Sequence, residues 1–96
     1  MITRYVKVIG RVQGIGYRRW AEREAQKLSL WGWVRNVSDG SVELMVKGEE
    51  QGVNRFLAAC LEGPAFAQVL GVQPVVIPYA APEPVQEGIF KIVASV

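Results

Sequence analysis

Apolar and polar positions alternate through residues 5–12, where Val6 and Val8 interleave with Tyr5, Lys7 and Ile9. A period of two predicts a first strand. Gly10, Gly14 and Gly16 then interrupt the pattern. From residue 17 to 28 the apolar spacing lengthens, so that Tyr17, Trp20, Ala21, Ala25 and Leu28 share one face of a helix. Residues 33–37 and 41–47 return to strand periodicity, with Val42, Leu44 and Val46 on one side. Between them Ser38-Asp39-Gly40 predicts a hairpin, because Asp-Gly supports the positive backbone angles of tight turns.

Val53, Phe56, Leu57, Cys60 and Leu61 fall at i, i+3, i+4, i+7 and i+8, the stripe of a second helix, which Gly63-Pro64 ends. Residues 67–77 are apolar and β-branched and predict a fourth strand. Pro74 and Pro78 confine it to a sheet edge or shorten it, since proline donates nothing to a ladder. A proline-rich connection over 78–86 leads to a short last strand at 89–93. The order β-α-β-β-α-β, with one strand added, predicts an α+β ferredoxin-like sandwich. In it an antiparallel sheet carries two helices on one face, with a short extra C-terminal strand. The 96 residues form a single domain, 1–96, without repeats or low-complexity tracts. This fold hosts many functions and selects none.

Composition narrows the chemistry. The chain has no histidine, which removes the commonest general base, the Ser-His and Cys-His nucleophile systems and most zinc sites. Eleven Lys and Arg against nine Asp and Glu give a net charge of +2, too weak for the concentrated basic stripe of a nucleic-acid binder. It suits a small anionic substrate. A single cysteine, Cys60, excludes an intramolecular disulfide and fits a reducing compartment. No stretch reaches the length of a membrane-spanning helix, and the start lacks the apolar segment of a signal peptide. The expectation is a cytoplasmic monomer without nucleic-acid or membrane partners.

The segment joining the first strand to the first helix carries the most information: Gly10-Arg11-Val12-Gln13-Gly14-Ile15-Gly16-Tyr17-Arg18. Glycines free successive N–H groups to face one point, and the helix adds its unpaired amides and the positive end of its dipole. Such a loop suits a phosphate. A glycine-rich connection made only for tight turning is the other reading. The loop is neither a Walker loop nor Gly-x-Gly-x-x-Gly. Four arginines lie near it in sequence: Arg11, Arg18, Arg19 and Arg35. Arg18 borders the apolar helix face in the first turn and can fold back over the loop, whereas Arg19 lies opposite and is expected in solvent. Asn36 shares strand parity with Val34, so if Val34 faces the helices, Asn36 does too. A buried amide there needs partners, either a ligand or the nearby hairpin. Cys60 lies in a helical stripe and reads as core. Trp20 reads as packing, and Trp31 and Trp33 as residues of a covered sheet face or a pocket mouth.

Taken together, these residues resemble the acylphosphatase family. Its first signature, Gly-x-Val-Gln-Gly-Val-x-Phe-Arg, corresponds to residues 10–18, with Ile15 for the usual valine and Tyr17 for the usual phenylalanine. Its second, Gly-Trp-Val-x-Asn followed by Asp-Gly-Ser-Val-Glu, corresponds to residues 32–36 and 39–43. Residues 65–96 match only in outline. The resemblance implies a hydrolase cleaving the carboxyl-phosphate bond of small acyl phosphates. Arg18 would bind the phosphoryl group together with the amides of Gln13, Gly14, Ile15, Gly16 and Tyr17. Asn36 would position the attacking water. No cofactor and no metal are expected, since the acidic residues show no ligand spacing. Two rivals remain. An RNA-binding domain of this shape needs aromatic platforms on its central strands, and residues 41–47 hold none. A non-catalytic phosphate- or anion-binding module of the same fold is opposed by the presence of both Arg18 and Asn36.

Overall fold

The computed structural model describes residues 1–76, 82 and 86–96. Its elements run β1 (Ile2–Arg11), α1 (Tyr17–Lys27), β2 (Trp31–Asn36), β3 (Val42–Gly48), α2 (Glu50–Glu62), β4 (Gln68–Pro74) and β5 (Phe90–Ile92). The expected end of the fourth strand at Ile77 and most of the proline-rich connection lie outside the described residues.

One five-stranded sheet has the order β4-β1-β3-β2-β5. The first four strands pair antiparallel, as expected, but β5 runs parallel to β2, with Gly32 opposite Phe90 and Val34 opposite Ile92. The sheet is therefore mixed. β1 begins earlier than the alternation suggests, at Ile2, because Thr3 and Arg4 find ladder partners in Lys47 and Val46. β4 is an edge strand that stops at Pro74, in keeping with the missing N–H.

Both helices lie on one face. α1 packs on β2 and β5, and α2 on β1 and β4. Alternate strand residues Val6, Val8, Val34, Val42, Leu44 and Val46 meet Tyr17, Ala21 and Ala25 of α1 and Val53, Phe56 and Cys60 of α2 in a single core. Phe90 closes it edge-on against Phe56 at 5.7 Å between ring centroids. α1 ends with Ser29 at φ 57°, its N–H donating to Gln26 O and that of Leu30 to Ala25 O. That is the pattern of a Schellman stop, built on serine where glycine is usual.

The opposite face of the sheet is also occupied. Trp33 is 2 % exposed, and Arg35, directly across from Glu43, is buried with it. The Arg35 guanidinium lies 4.8 Å from the Trp33 ring centroid and donates to Glu43 Oε1 through Nε at 3.1 Å and Nη2 at 2.9 Å. Trp33 thus belongs to a covered sheet face. Among the described residues, no helix is long and apolar enough to cross a membrane.

Candidate active site

The loop between β1 and α1 turns twice through the left-handed region, at Gly14 (φ 76°) and Gly16 (φ 84°). A Cβ at either position would meet nothing within 4 Å, so the requirement for glycine is conformational and not one of space. Gly16 caps α1, and its carbonyl accepts the first helical hydrogen bond from Trp20 N–H at 3.0 Å. No acidic residue stands in that first turn. The positive end of the helix is left facing the loop.

The loop is anchored at three points. Val12 is buried in the core. Gln13 donates through Nε2 to the carbonyls of Val37 and Ser41, each at 2.7 Å, tying the loop to the β2–β3 hairpin. Tyr17, 1 % exposed, donates its hydroxyl to the Cys60 carbonyl at 2.6 Å. That carbonyl would take the N–H of residue 64 in a continuing helix, but residue 64 is proline. Tyr17 supplies the missing donor and joins the start of α1 to the end of α2. Burial raises the Tyr17 phenol well above its ordinary value, so it stays protonated. Burial likewise pushes the Cys60 thiol up to about 12, consistent with a core residue.

Under this loop lies a cavity of about 360 Å³, lined by Val12, Gly14, Gly16, Tyr17, Arg18, Arg19, Asn36 and Ile92. It gathers the two residues singled out from the sequence. Arg18 reaches it half-buried from the first turn of α1, and Asn36 from the last residue of β2. Strand parity accounts for the second placement, since Val34 faces the helices and Asn36 follows two residues on. Asn36 Oδ1 is buried without a hydrogen-bond partner, the only such side-chain atom among the described residues. Buried amide oxygens are normally paired, so this one marks a place for a donor.

The remaining candidates separate. Gly14, Gly16 and Tyr17 line the cavity, but the Gln13 side chain is engaged as a tether and Ile15 lines a neighbouring depression with Arg11 and Phe66. Arg35 is locked to Glu43 on the far face. Arg19, expected in solvent, is exposed but also borders the cavity. Helical phase separated it from Arg18 correctly but could not show that the cavity wraps the whole first turn. Ile92 was not foreseen, because its place depends on β5 running beside β2.

The hairpin that bears Gln13's two acceptors has its own brace. Asp39 Oδ1 accepts from the Ser41 N–H at 2.9 Å and hydroxyl at 2.5 Å, while Oδ2 accepts from Lys7 Nζ at 2.8 Å. The Lys7 ammonium and then Ser41 hold the Asp39 carboxyl well below the usual carboxylate range. Among the described residues, no group of three His, Cys, Asp or Glu side chains converges as metal ligands would.

The chain as a whole has known counterparts. The family pattern described as Acylphosphatase matches residues 4–91. The acylphosphatase of Alcanivorax borkumensis is 52% identical over 69 residues, covering 72% of this chain and 75% of that protein. The acylphosphatase of Methylococcus capsulatus is 50% identical over 68 residues, 71% and 74% of the two chains. Among solved structures, the acylphosphatase from Bacillus subtilis superposes with a TM-score of 0.82 at 33% identity, over 97% of this chain and 99% of that one.

Proposed function

This chain belongs to the acylphosphatase family, and we propose that its cavity hydrolyses the carboxyl–phosphate bond of small acyl phosphates. Arg18 and the amides of residues 13–17 bind the phosphoryl group, and Asn36 orients the water. One observation carries the reading: Arg18 and Asn36, from different elements, line one cavity beneath a loop whose backbone suits an anion.

Phosphoryl transfer depends on alignment and on stabilising charge at the peripheral oxygens. The Arg18 guanidinium offers two parallel donors to two of those oxygens. The first amides of α1 and of the loop offer more, with the helix dipole behind them. The unpartnered Asn36 Oδ1 accepts a hydrogen bond from the water and fixes its oxygen in line with the scissile bond. The water oxygen bonds to phosphorus as the phosphorus–oxygen bond to the acyl group breaks. The acyl oxygen leaves with the bonding pair as a carboxylate, which needs no protonation. A phosphoryl oxygen of the substrate takes the water's proton, so that inorganic phosphate carries both hydrogens of the water.

This division of labour makes no use of a side-chain base, and none of histidine type exists in the chain. It works without a metal, the charge being met by Arg18 and the amides. We take the enzyme to act as a monomer in the cytoplasm, the reducing compartment that a single cysteine suits.

Inorganic phosphate, which as a product of this reaction should compete with the substrate, tests the assignment. Arg18→Ala is expected to lose both phosphate inhibition and turnover, whereas Asn36→Ala keeps phosphate binding and loses turnover. The reverse pattern would show that the two roles are exchanged.

A further inference from the structure

Arg18 and Arg19 are consecutive, and a helix turns successive side chains about 100° apart. Both nevertheless line the same cavity, Arg18 half-buried within it and Arg19 exposed at its rim. Neither forms an ion pair among the described residues, where the pairs are Lys7–Asp39, Lys27–Glu24 and Arg35–Glu43. Two unpaired guanidiniums in a first turn that has no acidic residue work against the helix dipole. One anionic group, the phosphoryl, answers Arg18 and the loop amides. The Arg19 fork, on the same cavity, is left without an anion to hold.

Among the described residues, nothing else lining the cavity duplicates Arg19. The other lining side chains beyond Arg18 and Asn36 are Val12, Tyr17 and Ile92, none of them charged. Arg11 lines a separate depression, and Arg35 is committed to Glu43 on the other face of the sheet. A substrate bound by its phosphoryl group at the loop leaves its acyl portion to the rest of the cavity, of which Arg19 is a lining residue.

Resting on the acyl-phosphate reading above, we infer that Arg19 is a specificity-determining residue. It favours acyl phosphates whose acyl portion carries a second anionic group, a carboxylate or phosphate, over those whose acyl portion is neutral. The guanidinium grips that distal group by charge-assisted hydrogen bonds. Its exposure keeps the preference modest and sensitive to salt.

The test compares kcat/KM for 4-carboxybenzoyl phosphate with that for benzoyl phosphate, in wild type, Arg19→Gln and Arg19→Lys. The ratio removes any effect of Arg19 on the phosphoryl group that both substrates share. Arg19→Gln is expected to lower the ratio by about fivefold, chiefly through KM. Arg19→Lys should restore much of it, and high salt should shrink the wild-type ratio toward that of Arg19→Gln. A ratio that is the same in wild type and Arg19→Gln, with both enzymes active, overturns this inference and leaves the acyl-phosphate reading standing. Wild type inert toward both substrates overturns that reading, and this inference with it.

Discussion

The side-chain amide of Gln13 donates to the carbonyl of Ser41 at 2.7 Å and, equally closely, to that of Val37. The glycine loop and the hairpin that follows Asn36 are thereby held as one unit. Both carbonyls already accept a backbone hydrogen bond, Ser41 O from Val37 N–H and Val37 O from Gly40 N–H. Gln13 fills their second lone pairs.

Replacing Gln13 with leucine removes both bonds while keeping the bulk of the side chain. The expected cost is about 1–2 kcal/mol in a urea titration, since each acceptor keeps one partner. Turnover should fall as well, because Arg18 and Asn36 lose their fixed separation. Full stability in Gln13→Leu would show that the tether is incidental.

Tyr17→Phe tests the joint between the helices. It leaves the Cys60 carbonyl without a donor, since Pro64 has no N–H to give. Chemical denaturation should register a loss of about 1–3 kcal/mol, the cost of a buried unpaired acceptor.

The fold was legible wherever a period of apolar residues was long enough to fix a face. Both helices, the Asp-Gly hairpin and the proline-limited edge strand β4 follow from such patterns. Strand parity also places Asn36 with Val34, whereas Arg35, counted from the sequence among the arginines near the loop, lies on the opposite face of the sheet. What escaped depends on partners distant in sequence. Thr3 and Arg4 join β1 through ladder bonds to β3, which alternation does not encode. The parallel pairing of β5 is set by packing beside β2 and α1, and Ile92 reaches the cavity only as a result. Gln13 was read for its backbone amide, while its side chain carries the tether. Arg19 was placed on the correct helical face, but the width of the cavity is a tertiary property.

Ser29 occupies the left-handed region at φ 57°, where a side chain is strained. Ser29→Gly should raise stability by about 0.5–1 kcal/mol, as glycine takes this conformation without a Cβ penalty. A melting temperature unchanged or lowered by this substitution would show that the serine side chain compensates the strain.

Asp39 links stability to pH. Its carboxyl, ordinarily near 3.8, is held lower in the folded chain by Lys7 and then by Ser41. A depressed carboxylate contributes stability that is fully present above its unfolded value and lost as pH falls through the folded one. Asp39→Asn should therefore be less stable than wild type at neutral pH, with the gap narrowing below about pH 4. A gap that stays constant from pH 7 to pH 2 would mean that the charge on Asp39 contributes nothing.

Hydrolysis of benzoyl phosphate, followed by ultraviolet absorbance in the presence of a metal chelator, tests the central claim most directly. Wild type, Arg18→Ala and Asn36→Ala are compared after circular dichroism confirms that each is folded. Wild type should turn over undiminished by the chelator, and each variant should lose about 100-fold or more in kcat/KM. A wild type that binds inorganic phosphate yet leaves benzoyl phosphate intact would contradict the account, and the cavity would then be an anion-binding site without catalysis.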